Sequence, residues 1–269
     1  MTRRRRQFAI AVLVLFLAFV PSMGYSAFAP GSEAIPILVY HRFDPDHAGP
    51  TTVRTATFEA QLTWLADHHY RVIPLHAAID LLTGNHGPAD SPAVVITADD
   101  GHRSVYTEMF PVIQRRRVPV TLFIYPSAIS NASYALTWEE LRAMQASGLV
   151  DVQSHTYWHP NFRTERARLS AGEYQSFVAF QLARSKQVLE KRLGSKVDAI
   201  AWPFGIYDPQ LEAAASHAGY AAAFAFAGGP ARAGCDMLAI PRIPVPDTAQ
   251  GVRFAALLDS SAAREAKNQ

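Results

Sequence analysis

Val94-Val95-Ile96-Thr97-Ala98-Asp99-Asp100-Gly101 is an apolar run that ends in two carboxylates and a glycine. A short continuous apolar run closed by turn residues reads as a strand buried on both faces. Strands of this kind build parallel sheets covered by helices, and such folds gather functional groups at the strands' carboxyl ends. Gly101 lets the chain turn sharply just after the two acids. Asp-Asp-Gly is also an ordinary turn sequence, so the run gains chemical meaning only from a second signal.

That signal is Ser154-His155-Thr156-Tyr157-Trp158-His159-Pro160, two histidines four positions apart behind the strand-like Val150-Asp151-Val152-Gln153. A catalytic zinc takes three ligands from His, Asp or Glu and keeps one position open. His155, His159 and one of Asp99 or Asp100 meet that count. The remaining carboxylate is free to accept a proton from water. A cation nearby would also relieve the repulsion between adjacent acids. The pattern outlines a metal-dependent hydrolytic site.

Working outward, short strands are expected at Ile37–Tyr40, Val94–Thr97, Val120–Tyr125, Val150–Ser154, Ala199–Trp202, Ala221–Phe226 and Ile240–Pro244. Helical spacing falls at Phe58–His68, Leu75–Leu82, Ser104–Arg117, Trp138–Ser147, Tyr174–Leu193 and Asp208–Ala218. Thr137-Trp138-Glu139-Glu140 matches a capping box at one helix start. The alternation predicts an α/β fold, and this many units favour a closed or nearly closed barrel over a flat doubly wound sheet.

The first residues read as a leader. Arg3 to Arg6 form a positive region, Phe8 to Val20 an apolar stretch too short for a comfortable span, and Ala27-Phe28-Ala29 a small-residue cleavage pattern. Residues 1–29 are expected to be a signal peptide, or an uncleaved anchor that gives the only contact with a membrane. The destination is the periplasm, the cell envelope or the exterior. Residues 30–269 are read as a single domain, with 255–269 as a fraying tail.

Four of the 25 basic residues lie in 1–29, which holds no acid, so 21 remain against 23 acids and the mature charge is −2. No nucleic-acid footprint follows from that balance. Cys235 is the only cysteine, which excludes an intrachain disulfide.

Thr97-Ala98-Asp99-Asp100-Gly101, Ser154-His155-Thr156-Tyr157-Trp158-His159 and Trp202-Pro203-Phe204-Gly205 resemble three ordered motifs of the polysaccharide deacetylase family. These are the NodB-homology enzymes of carbohydrate esterase family 4. The resemblance runs from about Ile35 to Val245 and implies a distorted (β/α) barrel of about seven parallel strands. It implies Asp99 as general base, with Asp100, His155 and His159 holding a divalent metal, zinc first, with cobalt, nickel or iron(II) fitting the same donors. The reaction implied is removal of an N-acetyl group from an acetylated aminosugar polysaccharide. The metal and a backbone N–H near Phe204 would stabilise the oxyanion, and Trp202, Pro203, Phe204, Tyr157 and Trp158 are the candidates to face the sugar.

Three departures from the family pattern matter. Ala98 stands where members usually carry Phe. Ala199-Ile200-Ala201 lacks the Arg that often orients the base, and Arg242 in Ile240-Pro241-Arg242-Ile243-Pro244 is the candidate substitute. The late Leu-x-His motif that supplies the general acid is missing, since no histidine follows His217. His41, at the end of Ile37-Leu38-Val39-Tyr40-His41, is the expected acid, with His102 as runner-up. Tyr40-His41 at this place resembles the circularly permuted poly-β-1,6-N-acetylglucosamine N-deacetylase branch. Deacetylation of peptidoglycan or of O-acetylated, xylan-like glycans on the same site, and a catalytically idle glycan-binding barrel, are the alternatives.

Overall fold

A computed structural model describes residues 34–84, 91–226 and 228–259. The expected leader, 1–29, lies outside the described residues. The chain opens with β1 (Ile37–Tyr40), a short parallel pair β2 (Arg42–Asp44) and β3 (Thr52–Arg54), α1 (Thr55–Asp67), β4 (Arg71–Val72) and α2 (Leu75–Leu82). Next comes β5 (Ala93–Asp99), which leads through a π-helical turn, Val105–Met109, into α3 (Phe110–Arg116). β6 (Val120–Ile124), α4 (Trp138–Ala146), β7 (Val150–Ser154), α5 (Phe162–Arg168) and α6 (Ala171–Leu193) follow. The rest is β8 (Ala199–Ala201), α7 (Pro209–His217), β9 (Ala222–Ala225), β10 (Ile240–Pro241), β11 (Ile243–Pro244) and α8 (Val252–Leu258).

The main sheet runs β10-β9-β8-β7-β6-β5-β1-β11, with every pairing parallel and β4 attached at the start of β5. Its two terminal strands are neighbours in sequence, separated only by Arg242. One extended segment thus bonds to β9 through its first half and to β1 through its second. Arg242 N donates to Ala225 O at 3.1 Å and Val245 N to Val39 O at 3.1 Å. The sheet is nearly closed into a barrel of eight strands, and the break at Arg242 divides what the sequence presented as one strand.

All seven residues of β5 are buried. Successive side chains of a strand point to opposite faces, so Val94, Ile96 and Ala98 pack in the larger cluster under the helices while Val95 joins the smaller one. That smaller cluster holds Ile37, Phe123, Ala199, Ala201, Ala222 and Phe224 from the other strands, with Leu75, Ala78 and Leu82 from α2. Thr97 and Asp99 share the face of Val95 and carry it toward the strand ends. Trp138 begins α4 behind the expected capping box, Thr137 Oγ1 accepting from Glu140 N and Glu140 Oε2 from Thr137 N. Helix α8 buries Phe254 and Leu258, so ordered structure continues through the first residues of the stretch read as a loose tail. Residues 260–269 lie outside the described residues.

Candidate active site

The two motif turns meet at the carboxyl ends of β5 and β7. After Asp99 the chain enters the left-handed region at Asp100 (φ 73°) and Gly101 (φ 73°). A side chain at Gly101 would bring a Cβ to 2.9 Å from Ile124 Cδ1. Gly101 N bonds back to Asp99 O at 2.9 Å, and Leu136 N donates to Gly101 O at 2.9 Å. The turn after β7 is held the same way. His155 N donates to Ile124 O at 2.8 Å, and Thr156 and His159 both have positive φ. His159 N donates to Thr156 Oγ1 at 3.1 Å.

These turns bring together three side chains that could ligate a metal. Asp100 Oδ1 lies 3.7 Å from His155 Nε2 and 3.6 Å from His159 Nε2, and the three donor atoms all fall within 4.8 Å of one another. His155 Nδ1 lies 2.7 Å from Ala201 O, which fixes that nitrogen as the N–H and leaves Nε2 as a lone pair aimed at Asp100. Burial pushes the His155 imidazole down to about 3, so it is neutral at ordinary pH, as a ligand must be. Burial also lowers His159. Burial and the neighbouring Asp99 charge raise the Asp100 carboxyl, the response of an acid placed where a cation is wanted. One carboxylate and two imidazoles suit zinc or a similar divalent ion.

Asp99 occupies a different environment. It is fully buried and gripped end-on by Arg242, with Nη1 2.8 Å from Oδ1 and Nη2 2.7 Å from Oδ2. Burial alone would raise its carboxyl pKa, but the charges of Arg242 and His155 and the Arg242 hydrogen bonds hold it down to about 2. Arg242 Nη1 also donates to Thr97 Oγ1 at 3.2 Å, and Thr97 Oγ1 donates to Leu38 O at 2.8 Å. The guanidinium lies over the rings of Phe123 and Phe226, 5.1 and 5.2 Å from their centroids.

A cavity of about 830 Å³ opens over this cluster, walled by His41, Asp100, His155, His159, Phe204 and Phe226 among others. His41, at the end of β1, is half-buried there, 6.0 Å between ring centroids from Phe226. A positive charge on His41 would favour the ionised forms of Asp99 and Asp100. Phe204 adopts φ 56°, which turns its ring outward and edge-on to His159 at 4.6 Å. Pro203 is buried and starts the one-turn helix that presents Phe204. His102 stands on the turn instead, its Nδ1 2.8 Å from Ser104 Oγ.

Three of the expected sugar-facing aromatics lie elsewhere. Trp202 is fully buried, its indole N–H donating to Leu238 O at 2.9 Å, and it presents no face to a ligand. Tyr157 turns away from the cavity and packs against Phe180 of α6 at 5.5 Å. Trp158 is half-exposed beside Phe177 on the same outer side. Conversely, Tyr125, Phe226 and Thr97 border the site without having been singled out. Tyr125 and Phe226 directly follow β6 and β9, so the rule that marked Asp99 and His155 marks them too.

A parallel barrel with three potential metal ligands and a separately held carboxylate at its mouth carries the groups that a metal-dependent hydrolase needs. The chain belongs to the polysaccharide deacetylase family, whose model matches residues 86–223. It is 28% identical over 226 residues to YxkH of Bacillus subtilis (strain 168), covering 84% of this chain and 76% of that protein. It is 23% identical over 203 residues to the poly-β-1,6-N-acetyl-D-glucosamine N-deacetylase of Staphylococcus aureus (strain MRSA252), covering 74% of this chain and 69% of the relative. The structure of IcaB from Ammonifex degensii superposes with a TM-score of 0.75 at 27% identity, over 84% of this chain and 97% of that one.

Proposed function

We propose that this protein is an exported, metal-dependent N-deacetylase of an aminosugar polysaccharide of the poly-β-1,6-N-acetylglucosamine kind. One observation supports this reading above the others. Asp99, ionised and clamped by Arg242, lies beside three ligands that meet in one cavity, with Asp99 Oδ2 3.8 Å from His155 Nε2. A structural metal site needs no spare carboxylate; a hydrolytic one does.

Asp100, His155 and His159 would hold the metal. When bound, a divalent ion, zinc for this donor set, supplies Lewis acidity toward an acyl oxygen and lowers the pKa of water. Asp99 accepts the proton of the water that adds to the acyl carbon, and Arg242 keeps that carboxylate charged and correctly turned. A backbone N–H near Phe204 faces the oxyanion that forms. His41, across the cavity, delivers a proton to the amide nitrogen as the carbon–nitrogen bond breaks. Acetate and a free amine result. Phe204 and Phe226 give the cavity apolar surface for the acetyl methyl. A leader at 1–29, as the sequence suggests, would put the reaction outside the cytoplasm.

The test is a substrate panel of β-1,6-linked N-acetylglucosamine oligomers, peptidoglycan fragments and acetylated xylan, assayed for acetate and for free amine. Equal amounts of both from the first substrate are expected. Acetate without amine, from xylan, would make the reaction an ester hydrolysis. Tight binding without release of acetate would make the protein a glycan-binding barrel.

A further inference from the structure

The loop from Ser127 to Leu136 is pinned to both motif turns. Ser127 N donates to Tyr157 O at 3.1 Å, beside the His159 turn. Leu136 N reaches Gly101 O at 2.9 Å, Arg103 N reaches Tyr134 O at 2.8 Å, and His102 and Ala135 form an antiparallel bridge. The backbone of Tyr134 is therefore fixed to the turn that carries Asp100. Its side chain is fixed as well. The Tyr134 and Tyr125 hydroxyls lie 2.9 Å apart, the Tyr125 ring lies 5.4 Å from that of His159, and the Tyr134 ring stacks over His102 at 6.3 Å. Despite this anchoring, Tyr134 remains 45% exposed.

An aromatic ring held this firmly and left open is preorganised for a ligand, because little freedom remains to be lost on binding. The two hydroxyls share one hydrogen bond, so one O–H donor and several lone pairs stay available. Arg42 stands on the same edge. It is exposed, it has no hydrogen bond or salt bridge from its side chain among the described residues, and its charge acts on Asp100, His102 and Tyr125. A sugar ring offers an apolar C–H face and a rim of hydroxyls, and this edge offers an open ring face, hydroxyls and a multiple N–H donor. The cavity wall with Phe226, Pro244, Pro246 and Leu257 offers little but apolar surface.

We propose that Tyr134, with the Tyr125 hydroxyl and Arg42, forms a subsite for the sugar residue next to the one being deacetylated, so that this edge selects a polymer over a single sugar. The inference rests on the reading of the site as a polysaccharide N-deacetylase and names the residues that read chain length.

The experiment compares a β-1,6-linked N-acetylglucosamine tetramer with p-nitrophenyl acetate, which has no neighbouring sugar, on the full metal-loaded protein. Tyr134→Ala should lower the ratio of kcat/KM for tetramer over ester by about three- to tenfold, the size of one aromatic contact, and should do so through KM. Tyr134→Phe, which keeps the ring, should lose less, and Arg42→Ala should move the ratio the same way. An unchanged ratio, or equal loss on both substrates, overturns the subsite. If the unaltered protein hydrolyses the ester but not the tetramer, the N-deacetylase reading fails separately. Calorimetry then decides the subsite: weaker tetramer binding to Tyr134→Ala upholds it, and equal binding or none to either protein overturns it.

Discussion

Arg242 and Asp99 are 143 positions apart in the chain and meet in a two-pronged ion pair with both side chains wholly buried. Arg242 is also the single residue between β10 and β11, where the segment that closes the barrel changes partners from β9 to β1. The step that completes the sheet therefore carries the group that orients the proposed base. Positioning of Asp99 and closure of the barrel are one structural event.

Replacing Arg242 should separate charge from geometry. Arg242→Ala leaves a buried carboxylate unpaired and should cost about 3–5 kcal/mol of stability, measured by denaturant unfolding. Arg242→Lys keeps the charge but loses the planar fork. It should lower kcat by about 10- to 100-fold, since small misplacements of a reacting group are that costly. A fully active Lys variant would show that Asp99 needs only a nearby cation.

His41 is proposed as the proton donor, and it contributes no atom to the three-ligand cluster. His41→Ala should lower kcat by about 10²- to 10⁴-fold, as loss of a general acid does, while the metal content of the purified protein is unchanged. Metal loss in this variant would instead make His41 part of the metal's support. A loss under about tenfold would return attention to His102.

Gly101 follows Asp100 in the left-handed region, and its missing Cβ leaves room for Ile124 Cδ1. Gly101→Ala should destabilise the fold by about 1–2 kcal/mol from the backbone alone. Pressure on Ile124 adds to that cost. Because the same turn sets Asp100, metal affinity should fall with stability. Unfolding curves and metal titration on one preparation test both effects.

Asp247, just past the cavity residue Pro246, ties that rim to β3 by accepting from Arg54 N at 2.9 Å, Nε at 3.0 Å and Nη2 at 2.7 Å. Burial would raise its pKa, but the Arg54 side chain and backbone N–H outweigh that and leave the carboxyl below its usual range. The folded pKa lies under the unfolded one, so the stabilisation is complete above about pH 4 and fades as pH falls through the folded value. Asp247→Asn should lower Tm by a few degrees at neutral pH, and the gap from the unaltered protein should narrow in acid. An equal gap at pH 7 and pH 3 would mean that the carboxylate charge contributes nothing.

The long apolar runs were legible because a strand buried on both faces carries its signal in nearly every residue, as in Ala93–Asp99 and Val120–Ile124. β2 and β3 were not, because three residues each around Pro45, Gly49 and Pro50 give no period to read. α5, Phe-Arg-Thr-Glu-Arg-Ala-Arg, buries only Phe162 and is made by its Asn161 cap more than by any apolar stripe. Side-chain direction was the harder part of the site. Trp202 and Phe204 are two positions apart, yet one is buried and one is open, because the positive φ at Phe204 reverses the outlook that strand alternation would give. Tyr134 was hidden for another reason, since its place depends on hydrogen bonds to two turns distant in sequence.

Asp100, His155 and His159 are proposed to hold a metal on which N-deacetylation depends. The most direct test is acetate and amine release from β-1,6-linked N-acetylglucosamine oligomers by protein stripped with a chelator and then reloaded with zinc, with bound metal counted at each stage. Stripping should remove one metal per chain and abolish release, zinc should restore both, and His155→Ala should recover neither. Release that persists in the stripped protein, or a reloaded protein that binds metal and frees no acetate, would contradict this proposal.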